Sequence, residues 1–265
     1  MTKSPAVRDT TDDTGSAPLA PLWQDRLGRA AKVIWLAGWL ALATGIVFPP
    51  IALASLWSRS GNSMFRLACL WAWIILKITR TRVSVRGLGK IDRSRAYMII
   101  ANHQSHFDGP ALALGLRKLP FRWIAKQELL RIPVFGYCLK SSRNIFIDRS
   151  DREKAMASIQ AGLRRLPHGV SVMCFAEGTR SDDGRVGVFK KGGFMAAVQG
   201  GLPILPVAIC GSRNVLPKGS IAFRSGCIKL RVGEPIETQG VDAGDLESLI
   251  RATRAAIFAL GASGA

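Results

Sequence analysis

The chain has 265 residues, 48% of them hydrophobic, and carries 37 Lys and Arg against 18 Asp and Glu, a formal net charge of +19. That apolar content supports a full-sized core and excludes a wholly disordered chain, while the length suits one α/β domain plus a membrane-associating segment. The cationic field attracts nucleic acid, anionic lipid or phosphorylated small molecules alike; no zinc-finger spacing, RNA-binding aromatic signature or basic heptad accompanies it, so no nucleic-acid partner is expected.

Residues 1–25, rich in Thr, Asp, Ser, Pro and Ala, lack hydrophobic periodicity and are expected to form a disordered tail; no apolar core or small-residue cleavage site marks a signal peptide. Residues 26–80 read as a membrane-associating helical segment. Val33 to Trp57 contains no charged residue and is long enough to cross a bilayer, with Trp35, Trp39 and Trp57 suited to its interfaces. Pro49 and Pro50 interrupt it, so the run is either one kinked helix or a hairpin turning near the prolines. Arg26, Arg29 and Lys32 before it and Arg59, Arg66 and Lys77 after it place cations at both ends, which favours both ends on the cytoplasmic side and hence the hairpin. Met64 to Ile78, with Trp71 and Trp73, is too short to span; it reads as an interfacial amphipathic helix or as a core helix of the α/β domain.

Residues 81–260 change character. Val83–Val85, Tyr97–Ile100, Phe121–Ala125, Ile145–Ile147, Val170–Phe175, Ile204–Ile209 and Ile228–Val232 are strand-like runs separated by helix-like stretches. From Arg152 to Leu166, residues Ala155, Met156, Ile159, Leu163 and Leu166 share one helical face, and Pro167 with Gly169 stops the pattern. The alternation predicts an α/β layered domain. The five cysteines, Cys69, Cys138, Cys174, Cys210 and Cys227, show no CxxC and no metal-ligand spacing, a pattern that fits a reducing compartment. No metal is expected.

Of only three histidines, two lie in Ala101-Asn102-His103-Gln104-Ser105-His106-Phe107-Asp108. The segment follows an apolar run, so His103 should emerge where a strand ends. An Asp five positions on can fold back to one imidazole nitrogen, fixing the tautomer and leaving the other nitrogen to take a proton from a hydroxyl. A chance pairing or part of a metal site are the competing readings of that spacing, though no further His or Cys cluster completes a coordination sphere. His106 is assigned no role. Further on, Cys174 to Ser181 offers a glycine, a hydroxyl and a guanidinium after a strand, groups suited to a phosphate monoester. Asn144 to Arg149 ends another β-run in Asp148 and Arg149, either a functional pair or a solvated ion pair.

These blocks, Asn102 to Asp108, Ile145 to Arg149, Phe175 to Ser181 and Leu202 to Val207, together resemble the four motif blocks of the glycerolipid acyltransferases, most closely the bacterial 1-acyl-glycerol-3-phosphate acyltransferases, over roughly residues 80–235. The resemblance implies a central mixed sheet flanked by helices, preceded by N-terminal membrane-associating helices, and a catalytic dyad of His103 and Asp108. It implies that Arg149, Glu177, Gly178, Thr179 and Arg180 hold the glycerol phosphate, with Lys126 near it, and that Pro203 to Val207 shapes the acyl-donor side. It implies a lysophospholipid acceptor, acyl-CoA or acyl carrier protein as co-substrate and no other cofactor, membrane lipids as partners, and a place at the cytoplasmic face of a bacterial inner membrane. Another lysolipid such as lyso-ornithine lipid, glycerol 3-phosphate, or water in a hydrolase or thioesterase stay open as acceptors. A non-enzymatic adaptor is the remaining alternative. Ala176 stands where the family commonly has proline, and Arg143 where glycine is common. Lys190 and Lys191 are candidates by charge alone, and equally a solvated basic face.

Overall fold

A computed structural model describes residues 22–262 except 59, 221, 243 and 244, and the side chains of 22–27 and 29 are not described. The tail expected over residues 1–25 lies almost wholly outside the described residues. The chain begins with α1 (Leu22–Trp57) and α2 (Asn62–Ile78), followed by β1 (Thr81–Arg86), β2 (Met98–Ala101), α3 (Asp108–Gly115), β3 (Phe121–Lys126), α4 (Phe135–Ser141) and β4 (Ile145–Ile147). It continues through α5 (Arg152–Arg164), β5 (Ser171–Phe175), α6 (Lys191–Gln199), β6 (Ile204–Cys210), α7 (Ser212–Val215), β7 (Gly226–Val232) and α8 (Leu246–Ala262).

The seven strands form one sheet in the order β1-β7-β6-β2-β5-β3-β4. Every pairing is parallel except β6 with β7, so the sheet is mixed. Each apolar run read from the sequence is one of these strands. Alternation along β2 explains the two layers: Ile99 and Ala101 face a core shared with α2 and α3, whereas Met98 and Ile100 face one shared with α5, α6 and α8. All four β2 residues are buried, as expected of a central parallel strand covered on both faces.

The reversal expected at Pro49-Pro50 does not occur there. Helix α1 runs unbroken through both prolines, and the chain turns back only between Trp57 and Asn62. Each proline lacks the N–H that would reach the carbonyl four residues earlier, yet its fixed φ is compatible with a helix. Val47 and Ile51, on either side of the pair, pack with Met64 of α2, so one continuous contact spans the lost hydrogen bonds. Residues Ala30–Trp57 are long and apolar enough to cross a membrane, and only 17% of their apolar window is buried, which separates this helix from an ordinary core helix.

Helix α2 is built into the α/β core: Phe65, Cys69, Ala72, Ile75 and Leu76 join the α3 face, while Leu70 and Trp73 remain half-exposed on the outside. Arg122, fully buried at the start of β3, ties the α1–α2 turn to the sheet. Its Nη2 donates to the Ser60 carbonyl at 2.8 Å and to Asn62 Oδ1 at 2.6 Å, and its Nη1 to the Phe121 carbonyl at 2.9 Å. Burial, and then the charge of Arg143, push this guanidinium down to about 10, so it stays charged at neutral pH.

Candidate active site

Strands β2 and β5 lie side by side, but their connections leave in opposite directions. The chain passes from β2 through α3 to β3, on the far side of β5, and from β5 through α6 to β6, on the far side of β2. Such a divergence opens a crevice at the carboxyl ends of the strands, where ligands of open α/β sheets bind. His103 follows β2 and Glu177 to Arg180 follow β5, so the topology alone brings together two motifs more than seventy residues apart.

The histidine is held on every side. Its Nδ1 lies 2.7 Å from Asp108 Oδ2, with the imidazole partly exposed and Asp108 fully buried. The same oxygen accepts the backbone N–H groups of Gln104 at 2.7 Å and Ser105 at 2.8 Å. Three donors to Oδ2 offset part of the desolvation of this buried carboxylate, whose Oδ1 has no partner among the described residues, and the residue opens α3, where the positive end of the helix favours an anion. The imidazole stacks on Phe175, the last residue of β5, with ring centroids 3.8 Å apart and planes 8° from parallel. Trp123 of β3 stacks on the other side of Phe175 at 5.7 Å. Plane and tautomer are therefore set, and Nε2 makes no hydrogen bond among the described residues.

Glu177 is engaged by the backbone of two neighbouring segments. It is buried, and its two oxygens accept backbone N–H groups, His103 at 2.8 Å and Gly187 at 2.9 Å. Ser181 N–H in turn donates to the His103 carbonyl at 2.8 Å. Glu177 thereby sews the β5 loop onto the backbone of the histidine. The cations stand nearby. Arg149 Nη1 donates to the Gly178 carbonyl, and a Cβ on Gly178 would lie 3.2 Å from Lys190 Nζ, so both cations converge on this glycine. Gly178 has φ +69°, a conformation that costs other residues strain and leaves space for the lysine.

Arg180 is half-buried beside His106, whose imidazole is held below its ordinary range by burial first and then by the charge of Arg180. Thr179 is exposed at the tip of the same loop. Lys126, at the carboxyl end of β3, pairs with Glu128 at 2.6 Å, and Lys191 pairs with Glu247 on α8, so neither is an unengaged charge. Asp148 and Arg149 do not pair with each other: Asp148 accepts from Ser150, freeing Arg149 to turn towards Gly178. No cluster of three or more His, Cys, Asp or Glu suited to a metal occurs among the described residues.

Asn102 gained no role from its sequence. Its side chain continues the sheet: Nδ2 donates to the Ile209 carbonyl at 2.9 Å and Oδ1 accepts the Ile209 N–H at 2.7 Å. The available signal was a single polar residue closing an apolar strand immediately before the histidine. An apolar cleft is lined by Val47, Phe48 and Ile51 of α1, Trp71 of α2, and Phe121 and Trp123 of β3, and so meets the aromatic stack at Trp123.

A histidine paired with a buried carboxylate and neighbouring cations form a site able to deprotonate a hydroxyl beside an anionic group. Residues 82–210 match the acyltransferase family model. The human 1-acyl-sn-glycerol-3-phosphate acyltransferase alpha is 30% identical over 82% of this chain and 88% of its own length. The chloroplastic 1-acyl-sn-glycerol-3-phosphate acyltransferase LPAT1 of Arabidopsis thaliana is 31% identical over 66% of this chain, which spans about half (49%) of that relative's length. The crystal structure of the 1-acyl-sn-glycerophosphate (LPA) acyltransferase PlsC from Thermotoga maritima superposes with a TM-score of 0.69 and 26% identity, covering 87% of this chain and 98% of that one. The chain belongs to the 1-acyl-sn-glycerol-3-phosphate acyltransferase family.

Proposed function

We propose that the chain transfers a fatty acyl group from acyl-CoA or acyl carrier protein to the sn-2 hydroxyl of 1-acyl-sn-glycerol 3-phosphate, forming phosphatidate for phospholipid biosynthesis. The observation that carries the reading is the 2.7 Å bond from His103 Nδ1 to buried Asp108, with Nε2 left available. His103 removes the hydroxyl proton at Nε2, and the hydroxyl oxygen attacks the thioester carbonyl. As the tetrahedral intermediate collapses, the C–S bond breaks and the imidazolium returns its proton to the departing thiolate. Asp108 stabilises the transient imidazolium without taking the proton.

Arg149, Arg180 and Lys190 offer the acceptor's phosphate its counter-charge, and Thr179 a hydroxyl. The N–H groups of Gln104 and Ser105 already serve Asp108, so the oxyanion takes its donors from elsewhere at the crevice. The cleft between α1, α2 and β3 accommodates hydrocarbon, and holding both substrates at a bilayer surface makes the attack effectively intramolecular. We place the catalytic edge at the cytoplasmic face of a bacterial inner membrane, with α1 in the lipid. The test is purified full-length protein with labelled acyl-CoA or acyl carrier protein and separate acceptors: lysophosphatidate, lyso-ornithine lipid, glycerol 3-phosphate or none. Phosphatidate should dominate. Free fatty acid without acceptor, or preference for another acceptor, would overturn the assignment.

A further inference from the structure

The segment that joins β3 to α4 has an unusual surface. Arg131, Ile132, Pro133 and Val134 are all exposed in succession, and Tyr137 one turn into α4 is 44% exposed. Single exposed aliphatics are ordinary. A contiguous apolar ridge at a tight turn is not, and the backbone here is bent to make it. Val134 sits at φ 61°, ψ −58°, and the Phe135 N–H donates to the Pro133 carbonyl at 2.6 Å. This is a γ-turn of the rare, strained hand, carried by a β-branched residue. The next turn closes with Gly136 against the backbone of Leu130, where a Cβ would lie 2.5 Å from the carbonyl oxygen. Strain of this kind persists where surrounding structure enforces it, and it is a pointer to function. Its result is that Ile132 and Val134 project outward.

The ridge is continuous with α1. The Tyr137 ring packs edge-on against Phe48 at 5.7 Å, and its hydroxyl lies 2.8 Å from Ser55 Oγ. On the side of α1 turned away from these contacts, Leu53, Leu56 and Trp57 are more than half exposed. From Leu129 to Ile147 there is no acidic residue, while Arg131, Lys140 and Arg143 are all exposed. An apolar tip rimmed by cations matches the boundary between acyl chains and anionic headgroups. We propose that Ile132 to Tyr137 is a second membrane contact, a wedge entering the headgroup–acyl boundary of the leaflet that receives α1. It fixes the tilt of the catalytic domain on the bilayer, a task one helix cannot perform because the domain can swivel about it. The inference rests on α1 lying in lipid and is independent of which lysolipid is acylated.

The experiment places an environment-sensitive fluorophore on Val134→Cys in full-length protein with Cys227→Ser, reconstituted in phosphatidylethanolamine–phosphatidylglycerol vesicles. The control site is Ala255→Cys on the outer face of α8, across the sheet from α1. A blue-shifted emission at 134, quenched by phospholipids carrying nitroxide near the headgroup, with neither effect at 255, is expected. Water-like emission at 134, equal quenching at both sites, or a blue shift that disappears when protein is diluted with lipid would overturn the proposal, the last by revealing contact between copies. A second variant, Ile132→Asn with Val134→Asn, should raise KM for vesicle-borne acceptor several-fold and leave kcat unchanged; an unchanged KM counts against the wedge. The fluorescence readout requires no turnover, so failure of the acyltransfer assignment would be seen separately.

Discussion

Glu177 separates two accounts of the Glu-Gly-Thr-Arg segment, and Glu177→Gln distinguishes them. As a carboxylate, Glu177 accepts one N–H from His103 and one from Gly187 in a buried setting. Glutamine keeps one acceptor oxygen but turns an NH2 group towards the second N–H, placing two donors face to face. A hydrogen bond to a charged group is worth about 1.5–3 kcal/mol, and an unsatisfied buried donor costs about 1–3 kcal/mol. Local relaxation absorbs part of that sum, leaving about 3 kcal/mol. For a domain of this size, each kcal/mol lowers Tm by roughly 2–4 °C, so a fall of roughly 6–12 °C is expected in a thermal melt. The strand ends also part, and His103 loses its backbone clamp; kcat should fall on the order of tenfold or more, since small misplacements of a base are costly. KM for lysophosphatidate should stay within about threefold, because binding shared by ground and transition state is untouched. Unchanged Tm with a large rise in KM would refute this reasoning and return Glu177 to the substrate.

Asp108→Asn should leave substrate KM values nearly unchanged while kcat falls on the order of a thousandfold or more, as the imidazolium loses its counter-charge and the tautomer its guide; steady-state kinetics decide, and near-normal kcat would remove the dyad. Arg122→Ala strips the Ser60 carbonyl and Asn62 Oδ1 of their donor. It should cost about 3 kcal/mol in denaturant titration of detergent-solubilised protein, with the α1–α2 turn becoming protease-sensitive first. Burial pushes the Cys174 thiol up to about 11, against which nearby Arg149 only partly works. The folded state therefore retains that proton from about pH 9 to 11 while the unfolded state releases it, so this thiol lowers stability as pH rises through that window and has no effect below it. Alkylation at pH 8 should modify exposed Cys227 well before half-buried Cys174, whose thiol keeps its proton; equal labelling would contradict that upward shift.

Much of the architecture is legible in the order of residues. Each of the seven β-rich runs is a strand, because short apolar segments between turn residues have few other ways to bury their side chains. The helix from Arg152 ends at Arg164, just before the Pro167 and Gly169 that mark its stop in the sequence. Asp108 folds back to His103 over a distance short enough for local geometry to settle. The prolines mislead for a physical reason: missing N–H groups are visible in sequence, whereas the packing of Val47, Ile51 and Met64 that carries the helix across them is not.

Sequence by itself determined the chemistry available: a histidine with an acid five residues on, cations behind later strands, and an uncharged stretch long enough for lipid. Tertiary structure alone decided how those groups are used. The diverging crossovers of β2 and β5 bring His103 to the Glu177 loop, and the hydrogen bonds formed there make Glu177 a backbone clamp. Arg149 reaches the Gly178 carbonyl because β3 and β4 extend the same sheet edge, while Lys126 on that edge is drawn to Glu128. Burial and hydrogen-bond partners across seventy or more residues are properties of the packed sheet. No local window of sequence contains them.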